Sequence, residues 1–197
     1  MAQAPIAALR RFIRPRESEE RCDGCGVFVP AEHRHQFDPA TRRIRCVCDS
    51  CAVTDQGTFR DIPYLVRSLP DFQISDWQWD ELMIPISLAF FSFHTPANRV
   101  VALYPGPAGA AESSLRLDAW EEIAASNTEL REMRPDVEAL LVNRVGANRE
   151  YFVVPIDECY KLVGIIRLHW RGLSGGALVW GEIERFFAGL RKRGANA

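Results

Sequence analysis

Five of the six cysteines fall within one stretch: a Cys-x-x-Cys pair at Cys22 and Cys25, then a Cys-x-Cys-x-x-Cys triplet at Cys46, Cys48 and Cys51. Two thiol pairs separated by roughly fifteen to twenty residues can bring four sulfurs onto one tetrahedral ion. The expected ligands are Cys22, Cys25, Cys48 and Cys51. Cys46 is an alternative ligand, because alternation along a strand would turn Cys46 and Cys48 to the same side. Zinc suits four thiolates without redox change, and iron is the alternative, since a first pair trailed by Gly26 has the shape found in rubredoxins. A site closed by four protein ligands is structural or electron-carrying rather than hydrolytic. His33 and His35 also share a face, but with four thiols at hand they read as ordinary surface or supporting histidines.

Positioning these groups requires tight turns and a hairpin. Cys22-Asp23-Gly24-Cys25-Gly26 has the form of a knuckle whose glycines tolerate positive φ. His33 to Phe37 and Arg42 to Cys48 flank Asp38-Pro39-Ala40-Thr41, a turn sequence, so a β-hairpin is expected between the cysteine pairs. Knuckle, hairpin and second knuckle follow the plan of a zinc ribbon, or of a rubredoxin-like four-cysteine module. Before it, Pro5 to Ile13 has the spacing of a short amphipathic helix. The module is placed at residues 1–57 and a larger α+β domain at 58–197.

In that larger part, Thr58 to Leu69 reads as a helix with Ile62, Leu65, Val66 and Leu69 inward. Ser75 with Gln78 makes a capping box for a helix through Trp77, Trp79 and Leu82, with the tryptophans read as packing. Ile84 to Phe93 and Arg99 to Tyr104 read as a hairpin with a well-buried first strand, and Pro105 to Ala110 as a structural loop. Asp118 and Glu121 mark a helix from Ala119 to about Ser126. A second hairpin pairs Val137 to Asn143 with Tyr151 to Pro155. Asp157 is placed to cap a helix from Glu158 to about Trp170, and a final helix spans Ala177 to Arg193. The fold class expected is α+β, a mostly antiparallel sheet packed with helices on one face.

Composition narrows the function. A chain of 197 residues, 47% hydrophobic, can bury a proper core. The formal charge of −2 disfavours a nucleic-acid protein, although Arg42, Arg43 and Arg45 beside the second cysteine cluster keep a nucleic-acid-binding zinc ribbon as a second alternative. With neither a secretory signal nor a run of about eighteen apolar residues, a cytoplasmic protein without membrane partners is expected. In that reducing compartment cysteine pairs favour metal over disulfide. Cys159 reads as a buried core thiol, Ser174 as a turn or cap serine, and neither His94 nor His169 has partners for catalysis. No catalytic residue or organic cofactor site is named, and a non-enzyme is favoured.

Several stretches together, LRRFIRPR from Leu9, RCDGCG, EHRHQFD, CVCDSC, IPISLAFF from Ile84, RVVALYPGPAGAAES from Arg99, VPIDECYKLVG from Val154 and WRGLSGG from Trp170, carry a resemblance. The chain resembles an uncharacterised family of about 200-residue proteins encoded beside actinobacterial-type high-affinity nickel-iron uptake hydrogenases. The resemblance implies an accessory role in hydrogenase maturation or assembly, with a hydrogenase subunit or maturation factor as partner. The alternative it leaves open is a rubredoxin-like one-electron carrier for the hydrogenase. It implies no catalytic residues.

Overall fold

A computed structural model describes residues 20–54, 57–114, 116–172 and 174–195. The amphipathic segment Pro5 to Ile13 lies outside the described residues. Two antiparallel sheets organise the rest. The smaller has the order β2-β1-β3, with β1 at Arg34–Asp38, β2 at Arg43–Val47 and β3 at Arg60–Asp61. The larger has six strands in the order β4-β9-β8-β5-β6-β7: β4 Arg67–Ser68, β5 Leu88–His94, β6 Arg99–Gly106, β7 Gly109–Glu112, β8 Glu138–Asn143 and β9 Glu150–Pro155. The helices are α1 Asp49–Thr54, α2 Asp76–Glu81, α3 Leu117–Ser126, α4 Ile156–His169 and α5 Gly176–Gly194. This is a mixed α+β protein with antiparallel sheets.

Alternation along the large sheet decides where the helices lie. Phe90 is paired with Leu103 on one side and Leu141 on the other, and Leu141 with Phe152. This row packs on α4 and α5 through residues such as Leu162, Ile166, Ile183 and Phe187. The neighbouring row, Ala102, Phe91, Leu140 and Val153, faces the other way and packs on Trp79, Trp120 and Ile123. Phe91 stacks on Trp120 with ring centroids 4.9 Å apart. The sheet is therefore covered on both faces, not one. That is why the run from Leu88 to Phe91 is continuously apolar: a strand buried on both sides has no solvent face to make polar.

The Ser75 capping box forms as expected, with Ser75 and Gln78 bonding reciprocally. Trp79 is buried, whereas Trp77 is exposed. Three local expectations fail for physical reasons. Thr58 to Leu69 is not a helix: Pro63 removes an amide donor and holds Ile62 extended, so the Ile62 N–H bonds the His35 carbonyl oxygen and the Leu69 N–H bonds that of Tyr151. Asp118 does not cap α3; Arg116 is the cap residue, and its guanidinium holds the Asp118 carboxylate. Asp157 does not cap α4 either, because the helix begins at Ile156, two residues earlier than expected, behind Pro155. The Pro105 to Ala110 segment is a hairpin turn that adds β7 to the sheet edge, Gly106 pairing with Gly109.

The small sheet is not isolated from this core. It recruits β3 from beyond Gly57, and Phe37 and Ile62 lie in the same apolar cluster as Phe90 and Leu162. Tyr160 of α4 sits between them, its ring centroid 6.3 Å from that of Phe37 and 6.0 Å from that of Phe90.

Candidate metal centre

The first cysteine pair is held by a backbone turn. The Cys22 N–H bonds the Val27 carbonyl oxygen and the Gly26 N–H bonds that of Cys22, with Gly26 at φ +76°. A side chain at Gly26 would be strained, as the sequence suggested. Gly24 matters for a different reason. A Cβ there would stand 3.0 Å from the Cys51 sulfur, so a larger residue would push the turn away from the second pair. That second pair opens a helix. Cys48 precedes α1, its carbonyl oxygen accepts the Ala52 N–H, and Cys51 lies in the first turn. Where a second glycine-trailed turn would reverse the chain, Ala52 and Val53 let it continue as helix.

The four sulfurs of Cys22, Cys25, Cys48 and Cys51 all lie within 4.8 Å of one another, with Cys25 and Cys48 at 3.8 Å. Cys22 is buried in a small apolar cluster with Val29, Val47 and Ala52, while Cys25 is exposed. Burial acts to raise the Cys22 thiol, but the backbone groups of Cys48, Cys25 and Gly24 outweigh it and bring it down to about 6. Cys51 moves the other way, pushed up to about 12 by its bonds to the Cys25, Cys48 and Cys22 thiols. Four thiol donors at this separation can hold one tetrahedral ion.

Cys46 is placed elsewhere. Strand β2 ends at Val47, so the alternation that would align Cys46 with Cys48 stops before Cys48 turns toward the other pair. Instead Cys46 lies directly opposite His35 across the hairpin, and its sulfur is grouped with ring nitrogens of His33 and His35. Burial, with the negative charges of Glu20, Asp23 and Cys22, raises the Cys46 thiol. His35 is raised by its bond to the Asp157 carboxylate, against the opposing effect of burial. Two of the three arginines near the second pair are engaged internally: Arg42 with Glu112, and Arg45 with Gln36 and over the Phe59 ring. Cys159 is fully buried, and burial pushes its thiol well up, as a core cysteine should be. Ser174 lends its carbonyl oxygen to the Trp180 indole N–H, and Gly175 rather than Ser174 precedes α5.

A separate apolar cleft of about 330 Å³ opens between the β6–β7 turn and the ends of α4 and α5, lined by Ile86, Tyr104, Pro107, Trp170 and Trp180. Nothing in the one-dimensional pattern marked it, because its walls come from five separated segments. Among the described residues no helix is long and apolar enough to cross a membrane.

Fold and cysteine cluster together define a mixed α+β protein carrying a potential four-cysteine metal site. The chain belongs to DUF5947, a family of unknown function whose pattern matches residues 21–194. No match was found among curated proteins or solved structures.

Proposed function

We propose that this chain is a cytoplasmic accessory protein in the maturation or assembly of nickel-iron hydrogenase, binding a hydrogenase subunit or an assembly factor. The observation that carries the reading is the convergence of Cys22, Cys25, Cys48 and Cys51, read with the stretches that resemble hydrogenase-associated proteins. Zinc is the ion assigned to the four thiols, where it fixes the knuckle against α1 and leaves no position for substrate. Specificity then falls to the α+β part. Its apolar cleft, with Trp180 and Ile86 partly exposed at the rim, is suited to an apolar segment of a partner.

The test is affinity purification from a native host with and without the hydrogenase genes, alongside deletion of the gene. A hydrogenase subunit or maturation factor should co-purify with the wild type and be reduced at least tenfold with Trp180→Ala. Deletion should lower hydrogenase activity. Absence of association together with undiminished activity overturns the proposal. Protein purified without oxygen should be colourless and contain zinc; a red, iron-loaded protein with a reversible one-electron transition would make it an electron carrier instead.

A further inference from the structure

We infer that His33, His35 and Cys46 form a second metal site, distinct from the four-cysteine cluster, for a borderline divalent ion of the zinc class. The site has three protein ligands and an exchangeable fourth position. It stands on its own geometry and does not depend on the hydrogenase reading.

The donor set is assembled by the hairpin. His35 and Cys46 are cross-strand partners, so their side chains project from the same face. His33 lies two positions before His35 and turns its ring edge-on to it, with centroids 4.8 Å apart. One nitrogen from each ring and the Cys46 sulfur lie within 4.8 Å of one another. Donors bound at roughly 2.0–2.3 Å to a tetrahedral ion stand about 3.3–3.8 Å apart, so closure asks for about 1 Å of side-chain adjustment.

The hydrogen bonds select which nitrogens face the ion. His33 Nδ1 is 2.8 Å from the Pro30 carbonyl oxygen, an acceptor, so Nδ1 carries the proton and Nε2 carries a lone pair. His35 Nδ1 is 2.8 Å from Asp157 Oδ2, which fixes the same tautomer in the neutral ring. A carboxylate or backbone carbonyl behind each imidazole is the arrangement that orients metal-binding histidines. His33 supplies the independent sign of a missing ligand: its side chain is only 4% exposed, and its buried Nε2 has no hydrogen-bond partner. A buried nitrogen left unpaired costs free energy unless something occupies its lone pair. His35 keeps about a third of its side chain exposed, so the site is not sealed on that side.

The backbone also accounts for two sites side by side without shared ligands. Asp23, inside the first cysteine turn, brackets Cys46: its N–H bonds the Cys46 carbonyl oxygen, and its carboxylate accepts the Cys46 N–H at 2.7 Å. Cys46 is thereby held beside the four-cysteine cluster while its sulfur serves the histidines.

The experiment loads the full chain, reduced and metal-free, with zinc alone or cobalt alone at neutral pH. Wild type should take up two ions per chain. Cys46→Ser and the double variant His33→Gln with His35→Gln should each take up one and keep the intense sulfur-to-cobalt absorption of a tetrathiolate. Zinc X-ray absorption should show about 2.5 sulfur donors per ion in wild type and about 4 in Cys46→Ser. Asp157→Asn, which keeps the side-chain shape but removes the charge behind His35, should weaken the second ion about 10–100-fold in chelator competition and leave the first unchanged. One ion per chain in wild type, with the same sulfur number in Cys46→Ser, overturns the inference. Failure of the four-cysteine cluster would be read separately, as loss of the tetrathiolate band with the histidine-dependent ion retained.

Discussion

His35 Nδ1 lies 2.8 Å from Asp157 Oδ2, joining residues 122 positions apart. The contact fastens the cysteine-bearing hairpin to the first turn of α4. Beside it Phe37 enters the main apolar cluster, with Ile44 packed against that cluster. The face of the hairpin that carries His35 and Cys46 is thus the face that meets the larger sheet and its helices.

Phe37 should behave as a residue of the main core even though it belongs to the cysteine-bearing hairpin. Phe37→Ala is expected to cost about 3–5 kcal/mol. Urea unfolding followed by tryptophan fluorescence and by metal release should give coincident transitions, both moved to lower urea. Two separated transitions, with only metal release shifted, would show the hairpin to be an independent unit.

Removing metal from the four-cysteine cluster should loosen the small core of Cys22, Val29, Val47 and Ala52 without dissolving the six-stranded sheet. After chelation, amide hydrogen exchange should rise at residues 20–32 and 48–54, while β5, β8 and β9 stay protected. Because the ligands must lose protons to bind, the apparent metal affinity should fall as pH is lowered, with release of protons on loading measurable by calorimetry in two buffers.

Gly175 is the strictest glycine outside the cysteine turns. It sits at φ +82°, and a Cβ there would stand 2.8 Å from Val179 Cγ1 and 3.0 Å from Trp170 Cε3. Gly175→Ala is expected to destabilise the protein by about 1–3 kcal/mol through backbone strain and this overlap. Gly164→Ala, on α4 with open space around it, should be neutral or slightly stabilising in the same melting experiment.

Glu112 at the β7 edge receives Arg42 from the hairpin turn and Arg99 from β6. Burial acts to raise its carboxyl, but the bonds from Arg99 and Arg42 outweigh it and hold it below the ordinary value of 4.5. A lowered folded value means the contribution is present above the unfolded value and is lost as pH falls through the folded one. Glu112→Gln should therefore flatten the decline of stability below about pH 4.5 and leave the slope near neutrality unchanged. Denaturant midpoints across the acid range would show an unaltered acid slope if the pairing contributes nothing.

Local signals were legible wherever one short stretch contained the whole cause. The Cys22 to Gly26 turn, the Asp38 to Thr41 turn and the Ser75 capping box each specify their geometry from neighbouring residues. Thr58 to Leu69 misled because its apolar spacing matches a helix, yet Pro63 and the open edge of β1 favoured extended pairing. The helix-covered second face of the sheet was missed because α2 and α3 are short. Their inward residues, Trp79, Trp120 and Ile123, become recognisable as one surface only when Phe91 and Leu140 lie beneath them.

The sequence by itself determined the four-cysteine cluster, because two closely spaced pairs around a hairpin bring their own sulfurs together through local turns. Only the tertiary structure decided the place of Cys46 and the histidines. Strand register set Cys46 opposite His35, α4 supplied Asp157, and burial of His33 left Nε2 without a partner. The bond to Asp157 joins residues 122 positions apart. Register within the hairpin and packing of α4 against it bring these groups to the same few ångströms, and residue spacing encodes neither the exact register nor the packing.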